Sequence, residues 1–383
     1  MAKDQPFSED SRVKIPSILH FTRLGYKYFS LKDEKYNIDP ETSIIVNEFR
    51  HQFCKINKIT EKQSGDFDDV FSDLKQTLAN DDLGREFYKK LISADSGDYK
   101  LVDFKNPDNN SYLVTTELAN RNGEDEFRPD ITIFINGLPL AFVEVKKPNN
   151  PEGIKAERER INMRFENEKF RKFINITQLL IFSNNMEYDD TTADQLQGAF
   201  YATTAKNSRV RFNNFREERK SEIIDEIKDL DEDIEDYVLK DTNLEVIKHS
   251  PEFISNKDID SPTNRIISSL FEKKRLAMIL RYGIAYVDEI NEETGETVIQ
   301  KHIMRYPQFF ATRAIARYLD DGNNRGIIWH TQGSGKTALG YYSVMHLTDY
   351  YAEKGVVPKF YFIVDRLDLA KQARARRKVH SNG

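Results

Sequence analysis

Hydrophobic and polar positions divide the first two hundred residues into a helical part and a β-rich part. Apolar residues recur at helical spacing in three segments, 15–26, 41–56 and 67–92. Runs typical of strands then cover residues 111–118, 130–136 and 138–146, followed by a charged helix over 153–173 and an apolar strand over 177–183. The dipeptide Asn136-Gly137 predicts a tight turn between the second and third strands. This order of elements predicts an α/β fold in which helices flank a mixed sheet.

The second half of the chain alternates helices and short strands around a glycine-rich loop. Twelve acidic and four basic residues lie between residues 217 and 241, which is typical of a solvated helix or linker rather than of a binding surface. The tripeptide Ser261-Pro262-Thr263 then indicates a boundary. Beyond it, the pattern predicts helices over 264–282, 308–319, 337–351 and 367–378, and strands within 283–303, at 327–330 and at 359–365.

Composition narrows the class of protein. The chain has 383 residues, enough for two or three domains of roughly 150 residues each, and its 39% hydrophobic content excludes a disordered chain. The net charge of −6 means that any positive surface for a nucleic acid must be local. Cys54 is the single cysteine, so an internal disulfide is excluded. Because no apolar run approaches the ~18 residues of a membrane span, we expect a soluble, cytoplasmic protein.

The most specific signal is the glycine-rich loop, His330-Thr331-Gln332-Gly333-Ser334-Gly335-Lys336-Thr337. A phosphate loop needs small residues whose backbone N–H groups surround a phosphate, a lysine for the β- and γ-phosphate oxygens, and a hydroxyl for Mg²⁺. All three are present between a predicted strand and a predicted helix, whose N-terminus favours anions. His330 stands where the full pattern has glycine. The alternative is a glycine turn that caps a helix, but Gly-Lys-Thr in this setting is rarely accidental.

Asp365 ends the last predicted strand and has two interpretations. It is either a Walker B carboxylate that reaches Mg²⁺ or part of the loop after the second strand of a helicase-type motor. We favour the motor, because no Asp-Glu pair follows a later apolar strand. The motor would then be incomplete in this chain, which we expect to bind a nucleotide through Lys336 without turning it over by itself.

A second constellation lies on the predicted hairpin, where Asp130 opens one strand and Glu144 and Lys146 close the other. Strands have a period of two, so Glu144 and Lys146 project from the same face. Charges at the end of an otherwise apolar strand are costly to bury without a partner or a metal. Two carboxylates can bind Mg²⁺, which activates water, and a lysine can position that water or offset charge at phosphorus. The alternative is an ordinary surface Glu–Lys pair.

Together, the two constellations resemble the restriction (R) subunit of type I restriction–modification enzymes. The residues that carry the resemblance are 128–130, 142–146, 178–184, 305–311, 329–337 and 364–366, with Leu369 and Gln372. The loop of this family is similar to Trp-His-Thr-Gln-Gly-Ser-Gly-Lys-Thr, which accounts for His330. The resemblance implies a PD-(D/E)xK nuclease-type mixed sheet flanked by helices, followed by the first part of a RecA-like P-loop motor domain.

The resemblance also implies boundaries and roles. The nuclease domain would cover 1–215, with a helical N-terminal part and the catalytic sheet from about 110. An acidic helical linker would follow over 216–262, and the first part of the ATPase/translocase domain over 263–383. Asp130 and Glu144 would hold Mg²⁺, and Lys146 would complete the nuclease site. Gln308, with Arg305 near it, would recognise adenine. The ATP phosphates would be held by Gln332, Gly333, Ser334, Gly335, Lys336 and Thr337, and Thr337 would also bind Mg²⁺.

The family cleaves double-stranded DNA after ATP-driven translocation, in complex with modification (methyltransferase) and specificity subunits. We therefore expect Mg²⁺ and ATP as cofactors, and double-stranded DNA and those two subunits as partners, without a membrane. One alternative is a small ATP-regulated nuclease in which Asp365 is a true Walker B residue. Another is a non-catalytic remnant that only binds DNA or partner subunits.

The chain departs from the family pattern in two respects. The family often has Gln-x-x-x-Tyr on the helix after the catalytic strand, whereas residues 156–168 here contain neither glutamine nor tyrosine. Arg160 and Arg164 on this helix are predicted to lie on a charged, solvated face, with contacts to DNA phosphates as the alternative. The second departure is that the acidic box and second lobe of the motor do not follow the loop, so we expect a truncated chain.

Overall fold

A computed structural model of the chain describes residues 8–60, 65–93, 99–122, 124–148, 151–188, 198–204, 209–290, 295 and 297–363. For residues 122 and 151–154, it describes the backbone alone. The α-helices in these ranges are α1 (Ile15–Arg23), α2 (Val46–Asn57), α3 (Gly65–Thr77), α4 (Arg85–Ile92), α5 (Pro151–Glu166), α6 (Arg171–Ile176), α7 (Glu232–Thr242), α8 (Pro251–Asn256), α9 (Pro262–Phe271), α10 (Lys273–Tyr282), α11 (Tyr306–Asp320) and α12 (Lys336–Ala352). The strands are β1 (Lys27–Tyr28), β2 (Tyr112–Thr116), β3 (Asn120–Asn122), β4 (Asp125–Phe127), β5 (Ile131–Ile135), β6 (Leu138–Val145), β7 (Leu179–Ser183), β8 (Ala199–Thr204), β9 (Val210–Asn214), β10 (Ile284–Ile290) and β11 (Thr297–Ile303).

Seven strands form one mixed sheet in the order β1-β2-β5-β6-β7-β8-β9. The pairs β1·β2 and β6·β7 are parallel, and the other neighbours are antiparallel. All eight residues of β6, the central strand, are buried. A strand with neighbours on both sides and helices on both faces has no side open to water, which explains its nearly continuous apolar sequence. The predicted α/β class with a mixed sheet is confirmed.

Helices cover both faces of this sheet. Phe142 on β6 packs against Phe173 on α6, with ring centres 5.7 Å apart. On the opposite face, the Ser183 hydroxyl at the end of β7 lies 2.8 Å from the Thr263 hydroxyl at the start of α9. Ser183 is paired with Val145 in register, so Val145 faces α9 and its neighbour Glu144 faces the other helix layer.

The turn at Asn136-Gly137 joins the two strands of the hairpin β5–β6, whose register shifts once, between Ile133 and Ile135. Both residues have positive φ, 53° and 79°, as a type I′ turn requires. The backbone N–H of Ile45, which precedes α2, donates to the Gly137 carbonyl at 2.9 Å. A Cβ on Gly137 would lie 2.7 Å from the Ile45 carbonyl oxygen and 2.8 Å from the Phe49 nitrogen. The predicted turn is therefore confirmed, and it docks closely on the first turn of α2.

The strands predicted at 327–330 and 359–365 are wrong for the residues that the structure describes. Residues 327–330 and 359–363 run without regular secondary structure. The side chains of Ile327, Trp329 and Ile363 are 92%, 90% and 97% exposed. An apolar strand of a parallel sheet is stable only when neighbouring strands satisfy its backbone groups and helices cover it. Neither segment has such a neighbour within the described ranges.

Some predictions lie outside the described residues. These are Asp365 with the rest of 364–366, Leu369 and Gln372, and the helix predicted over 367–378. Among the helices that are described, none is long and apolar enough to cross a membrane.

Candidate functional sites

Asp130 and Glu144 meet at the open end of the hairpin β5–β6. The register that pairs Ile131 with Val143 places Asp130 directly opposite Glu144, and opposite residues of an antiparallel pair share a face. The backbone N–H of Val145 donates to Asp130 Oδ2 at 2.8 Å, which fixes one carboxylate. Burial raises the pKa of Asp130, and Lys146 only partly opposes that rise. Burial and then the charge of Asp130 raise the pKa of Glu144 well above its ordinary value.

Lys146 brings a positive charge to the same end of the hairpin. Its Nζ lies 3.3 Å from Glu9 Oε1 and 3.6 Å from Glu157 Oε2, and it donates to the Val145 carbonyl at 2.8 Å. Burial alone would lower the pKa of Lys146, but the surrounding carboxylates, Glu9 foremost, raise it above its ordinary value. The ammonium group is therefore charged at neutral pH. The three residues predicted as a site are thus brought together.

The two carboxylates of this site are a donor set that a hard divalent cation accepts. No cluster of three or more His, Cys, Asp or Glu side chains with the geometry to hold a metal occurs in the described part of the chain. Mg²⁺, however, is commonly held by one or two carboxylates and completes its shell with water and phosphate oxygens. Asp130, which is half-buried, and Glu144, which is buried, supply two mutually repelling carboxylates, and a divalent cation between them would relieve that repulsion.

Arg164 on α5 points into this site, which corrects its prediction as a residue of a solvated helix face. Its Nη1 lies 3.3 Å from Glu144 Oε1 and 3.1 Å from Glu157 Oε1. Its guanidinium carbon lies 3.9 Å from the centre of the Phe127 ring. Arg160, by contrast, pairs with Glu157 at 2.8 Å but keeps 56% of its side chain exposed, as a helix-face residue does.

Glu157 is a site residue that the sequence analysis missed. Its side chain is 1% exposed and lies within ion-pair distance of Lys146, Arg160 and Arg164. Glu157 and Arg164 are seven residues apart, two turns of α5, and therefore lie on one face of the helix. That spacing is the signal from which the sequence could have indicated the pair.

The phosphate loop leads into α12 as predicted, although no strand precedes it. Gly333 and Gly335 adopt φ of 78° and 84°, in the left-handed region that favours glycine. Gly335 is the N-cap of α12, so Lys336 and Thr337 are the first two helical residues. Lys336 Nζ donates to the carbonyls of His330 at 2.8 Å and Thr331 at 3.1 Å. The loop therefore curves around the lysine at the positive end of a helix, where anions are stabilised.

Gln308 and Arg305 contact this loop from the start of α11. Gln308 Oε1 accepts a hydrogen bond from the Arg305 backbone N–H at 2.7 Å, and its Nε2 donates to the Gly335 carbonyl at 3.2 Å. Arg305 Nη1 donates to the Gly333 carbonyl at 3.3 Å. The side chain of Gln332 is exposed. The residues predicted to hold a nucleotide are thus adjacent, beside an open groove of about 1180 Å³ between α11 and α12.

Family models match both parts of the chain. The model described as type I restriction enzyme R protein N terminus matches residues 6–198, just over half of the chain. A second model, described as SWI2/SNF2 ATPase, matches residues 307–382. The first range contains the hairpin site, and the second contains the phosphate loop.

Individual proteins agree with these matches. The chain is 27% identical over 72% of its length to the putative type I restriction enzyme MjaVIIP endonuclease subunit of Methanocaldococcus jannaschii, covering 22% of that protein. It is 26% identical over 95% of its length to the putative MjaIXP endonuclease subunit of the same organism, covering 34%. It is 25% identical over 91% of its length to the type I restriction enzyme SauCOLORF180P endonuclease subunit of Staphylococcus aureus, covering 31%.

The chain thus spans between a fifth and about a third of the length of these relatives. The match over residues 6–198 covers the mixed sheet from β1 almost to β8. On this evidence, the chain belongs to the family of type I restriction enzyme R proteins, whose N-terminal region it contains.

Proposed function

We propose that this chain supplies the nuclease site and the ATP-binding loop of a type I restriction subunit, which cleaves double-stranded DNA with Mg²⁺. The observation that carries the proposal is the convergence of Asp130, Glu144 and Lys146 at one end of a buried hairpin. The match to the R protein N terminus over the same residues supports it. The protein would act in the cytoplasm, in complex with modification and specificity subunits.

The chemistry follows from the charges of the site. Asp130 and Glu144 would hold Mg²⁺, which when bound supplies an activated water and a Lewis acid. Lys146 is kept charged by its acidic neighbours, so it can offset the negative charge that develops on the scissile phosphate. Because Glu144 is buried and faces α5, bulk water is kept away from the side of its carboxylate that faces this helix.

The nucleotide site would drive DNA translocation in the same protein. We propose that Lys336 binds the phosphates together with the backbone of Gln332, Gly333, Ser334 and Gly335. Thr337 would reach Mg²⁺. Gln308 and Arg305 would contact the base. The match to a SWI2/SNF2 ATPase over 307–382 supports ATP use. In fold terms, we propose a PD-(D/E)xK nuclease domain over 1–215, a linker over 216–262 and a RecA-like part over 263–383.

Variants of the hairpin site test the nuclease assignment. In the R protein assembled with its modification and specificity subunits, Glu144→Ala and Lys146→Ala are expected to abolish DNA cleavage and to leave ATP turnover intact. Lys147→Ala is the matched control, since Lys147 is the next lysine in the chain and is exposed. Cleavage by Glu144→Ala at the rate of the unaltered complex would refute the assignment and favour a chain that only binds DNA or partner subunits.

A further inference from the structure

The helix α5 carries a charge pair, the buried Glu157 and the half-buried Arg164, beside the hairpin site. Glu157 and Arg164 stand where the Gln-x-x-x-Tyr pattern would be expected, and both reach the hairpin site. The Glu157 carboxylate is 1% exposed, and 22% of the Arg164 side chain is exposed. Burying two opposite charges is costly unless their geometry is good and their remaining polar atoms are bonded. We therefore ask which interaction within the site compensates the cost of burying this pair.

The contacts of Arg164 restrict its position on three sides. Glu157 lies 3.1 Å from Nη1, and Glu144 lies 3.3 Å from the same nitrogen. The Phe127 ring lies against the guanidinium group, with its centre 3.9 Å from the guanidinium carbon, within the range of a cation–π contact. Arg164 thus meets Glu144 as part of a clamped unit rather than as a flexible side chain.

From this geometry we infer that Arg164 is a positioning residue, which holds the Glu144 carboxylate by its Oε1 oxygen so that the other oxygen faces a metal. The inference rests on the proposed nuclease function and deepens it. Glu157 and Phe127 hold the arginine, and the positive charge of Arg164 offsets the repulsion between the Glu144 and Asp130 carboxylates. Glu157 also contacts Lys146, so one buried carboxylate orients both cations of the site.

A positioning role makes predictions that differ from those for a DNA contact. Residues that orient a metal ligand typically change metal affinity or activity by about 10- to 100-fold when they are replaced. Replacing Arg164 removes a positive charge beside the metal ligands, so divalent-cation affinity should not fall, whereas the turnover of bound DNA should. A contact to DNA phosphates would instead raise the KM for DNA and leave kcat unchanged.

The experiment compares Arg164→Met, Arg164→Lys and Arg160→Met. Cleavage of supercoiled plasmid by the assembled complex gives kcat and KM, and calorimetric titration of the purified chain with MgCl₂ gives the metal affinity. We expect Arg164→Met to lower kcat at least about tenfold with KM and Mg²⁺ affinity retained. Arg164→Lys, which keeps the charge but not the planar fork, should recover part of the loss. Arg160→Met should behave as the unaltered protein, because Arg160 contacts Glu157 and not Glu144.

Several results would overturn the inference. Unchanged kcat in Arg164→Met does so, as does a change confined to KM, which indicates a DNA contact. Equal losses in Arg160→Met and Arg164→Met would indicate a role in stability alone. These outcomes are separate from failure of the proposed function, which would appear as cleavage by Glu144→Ala.

Discussion

Lys301 on β11 has its charge enclosed by the protein. The residue is 8% exposed, and its Nζ donates to the Thr177 carbonyl at 3.0 Å. The same nitrogen lies 5.7 Å from the centre of the Tyr286 ring. Burial disfavours the charged form and lowers the pKa of Lys301 to about 7, against the opposing influence of Asp82. Above that pH, the folded protein holds fewer protons at this position than the unfolded chain does.

Lys301→Met is expected to change how the free energy of unfolding depends on pH. Because the unfolded state binds more protons, Lys301 makes the free energy of unfolding increase as the pH rises from about 7 towards the ordinary lysine pKa of about 10.4. Methionine removes that contribution. Between pH 7 and 9, the free energy of unfolding should therefore rise by about 2 kcal/mol more in the unaltered protein than in the variant.

Urea denaturation at the two pH values measures this difference. Lys147→Met, at an exposed lysine, serves as the control and should follow the unaltered protein. If Lys301→Met retains the full pH dependence, the enclosed ammonium group is not its source.

The sequence predicted which residue types form the hairpin site but not all of their partners. A period of two was enough to place Glu144 and Lys146 on one face. The register of β5 and β6 shifts between Ile133 and Ile135, and this shift, rather than the turn alone, brings Asp130 opposite Glu144. The direction of Arg164 could not be predicted in this way. It depends on stacking against Phe127, which belongs to a short strand, β4, that the hydrophobic pattern did not indicate.

At the scale of elements, the hairpin β5–β6 depends on its turn. Gly137→Ala would require an alanine at φ 79° and would bring a Cβ to 2.7 Å from the Ile45 carbonyl oxygen. Left-handed backbone costs a residue with a Cβ about 1–2 kcal/mol, and the collision with the backbone at the start of α2 adds to this. We expect a loss of about 3 kcal/mol or more in the free energy of unfolding, within the range of strained-backbone substitutions.

Gly295→Ala separates the two causes of this loss. Gly295 has a φ of 72°, and a Cβ there would meet no described residue within 4 Å. It should therefore lose only the backbone contribution of about 1 kcal/mol. Equal losses in the two variants, measured by chemical denaturation, would mean that the contact with α2 contributes nothing.

Elements with strong local signals were predicted well, and elements that depend on distant neighbours were not. The helix α12 and the hairpin β5–β6 follow from local sequence, since the glycines of the phosphate loop and the turn restrict where each element begins. The edge strand β9 was missed because Val210–Asn214 contains only two apolar residues. The segment 327–330 was overpredicted because its apolar sequence satisfies the pattern of a strand without supplying a neighbour for it.

At the scale of the whole molecule, two carboxylates of the acidic segment 217–241 pair with arginines of the second half of the chain. The Arg275 side chain on α10 is fully buried, and both of its terminal nitrogens contact Glu217. Glu222 contacts Arg313 and Arg317 on α11, the helix that begins beside the phosphate loop. Burial raises the pKa of Glu217, but its hydrogen bonds to Arg275 and Ser269 outweigh this and hold the pKa below its ordinary value. The segment that separates the two sites in sequence thus packs against helices of the second half.

Glu217→Gln is expected to destabilise the folded chain strongly. Removing one partner of a buried ion pair typically costs about 3–5 kcal/mol. Glu222 Oε2 lies 3.7 Å from Arg275 Nη2, beyond hydrogen-bond distance, so it does not replace the hydrogen bonds to Glu217. The neighbouring Glu218→Gln is the matched control, because Glu218 lies 3.7 Å from a largely exposed Arg216, and such surface pairs contribute about 1 kcal/mol or less. Denaturation followed by circular dichroism tests both variants. Similar stabilities for the two would show that Arg275 finds another partner.

The Asn136-Gly137 turn has a consequence for the chemical lifetime of the protein. Glycine carries no side chain to hinder its nitrogen, so in a flexible chain this nitrogen readily attacks the preceding asparagine amide, which closes a succinimide and releases ammonia. In the folded hairpin, the Asn136 amide donates to Leu101 and Asn110 and accepts from the Ser111 N–H, and it is fully buried. The amide cannot rotate towards the Gly137 nitrogen without breaking these bonds. The fold therefore protects the Asn136-Gly137 pair from deamidation. We expect deamidation at this position only in chains that have unfolded.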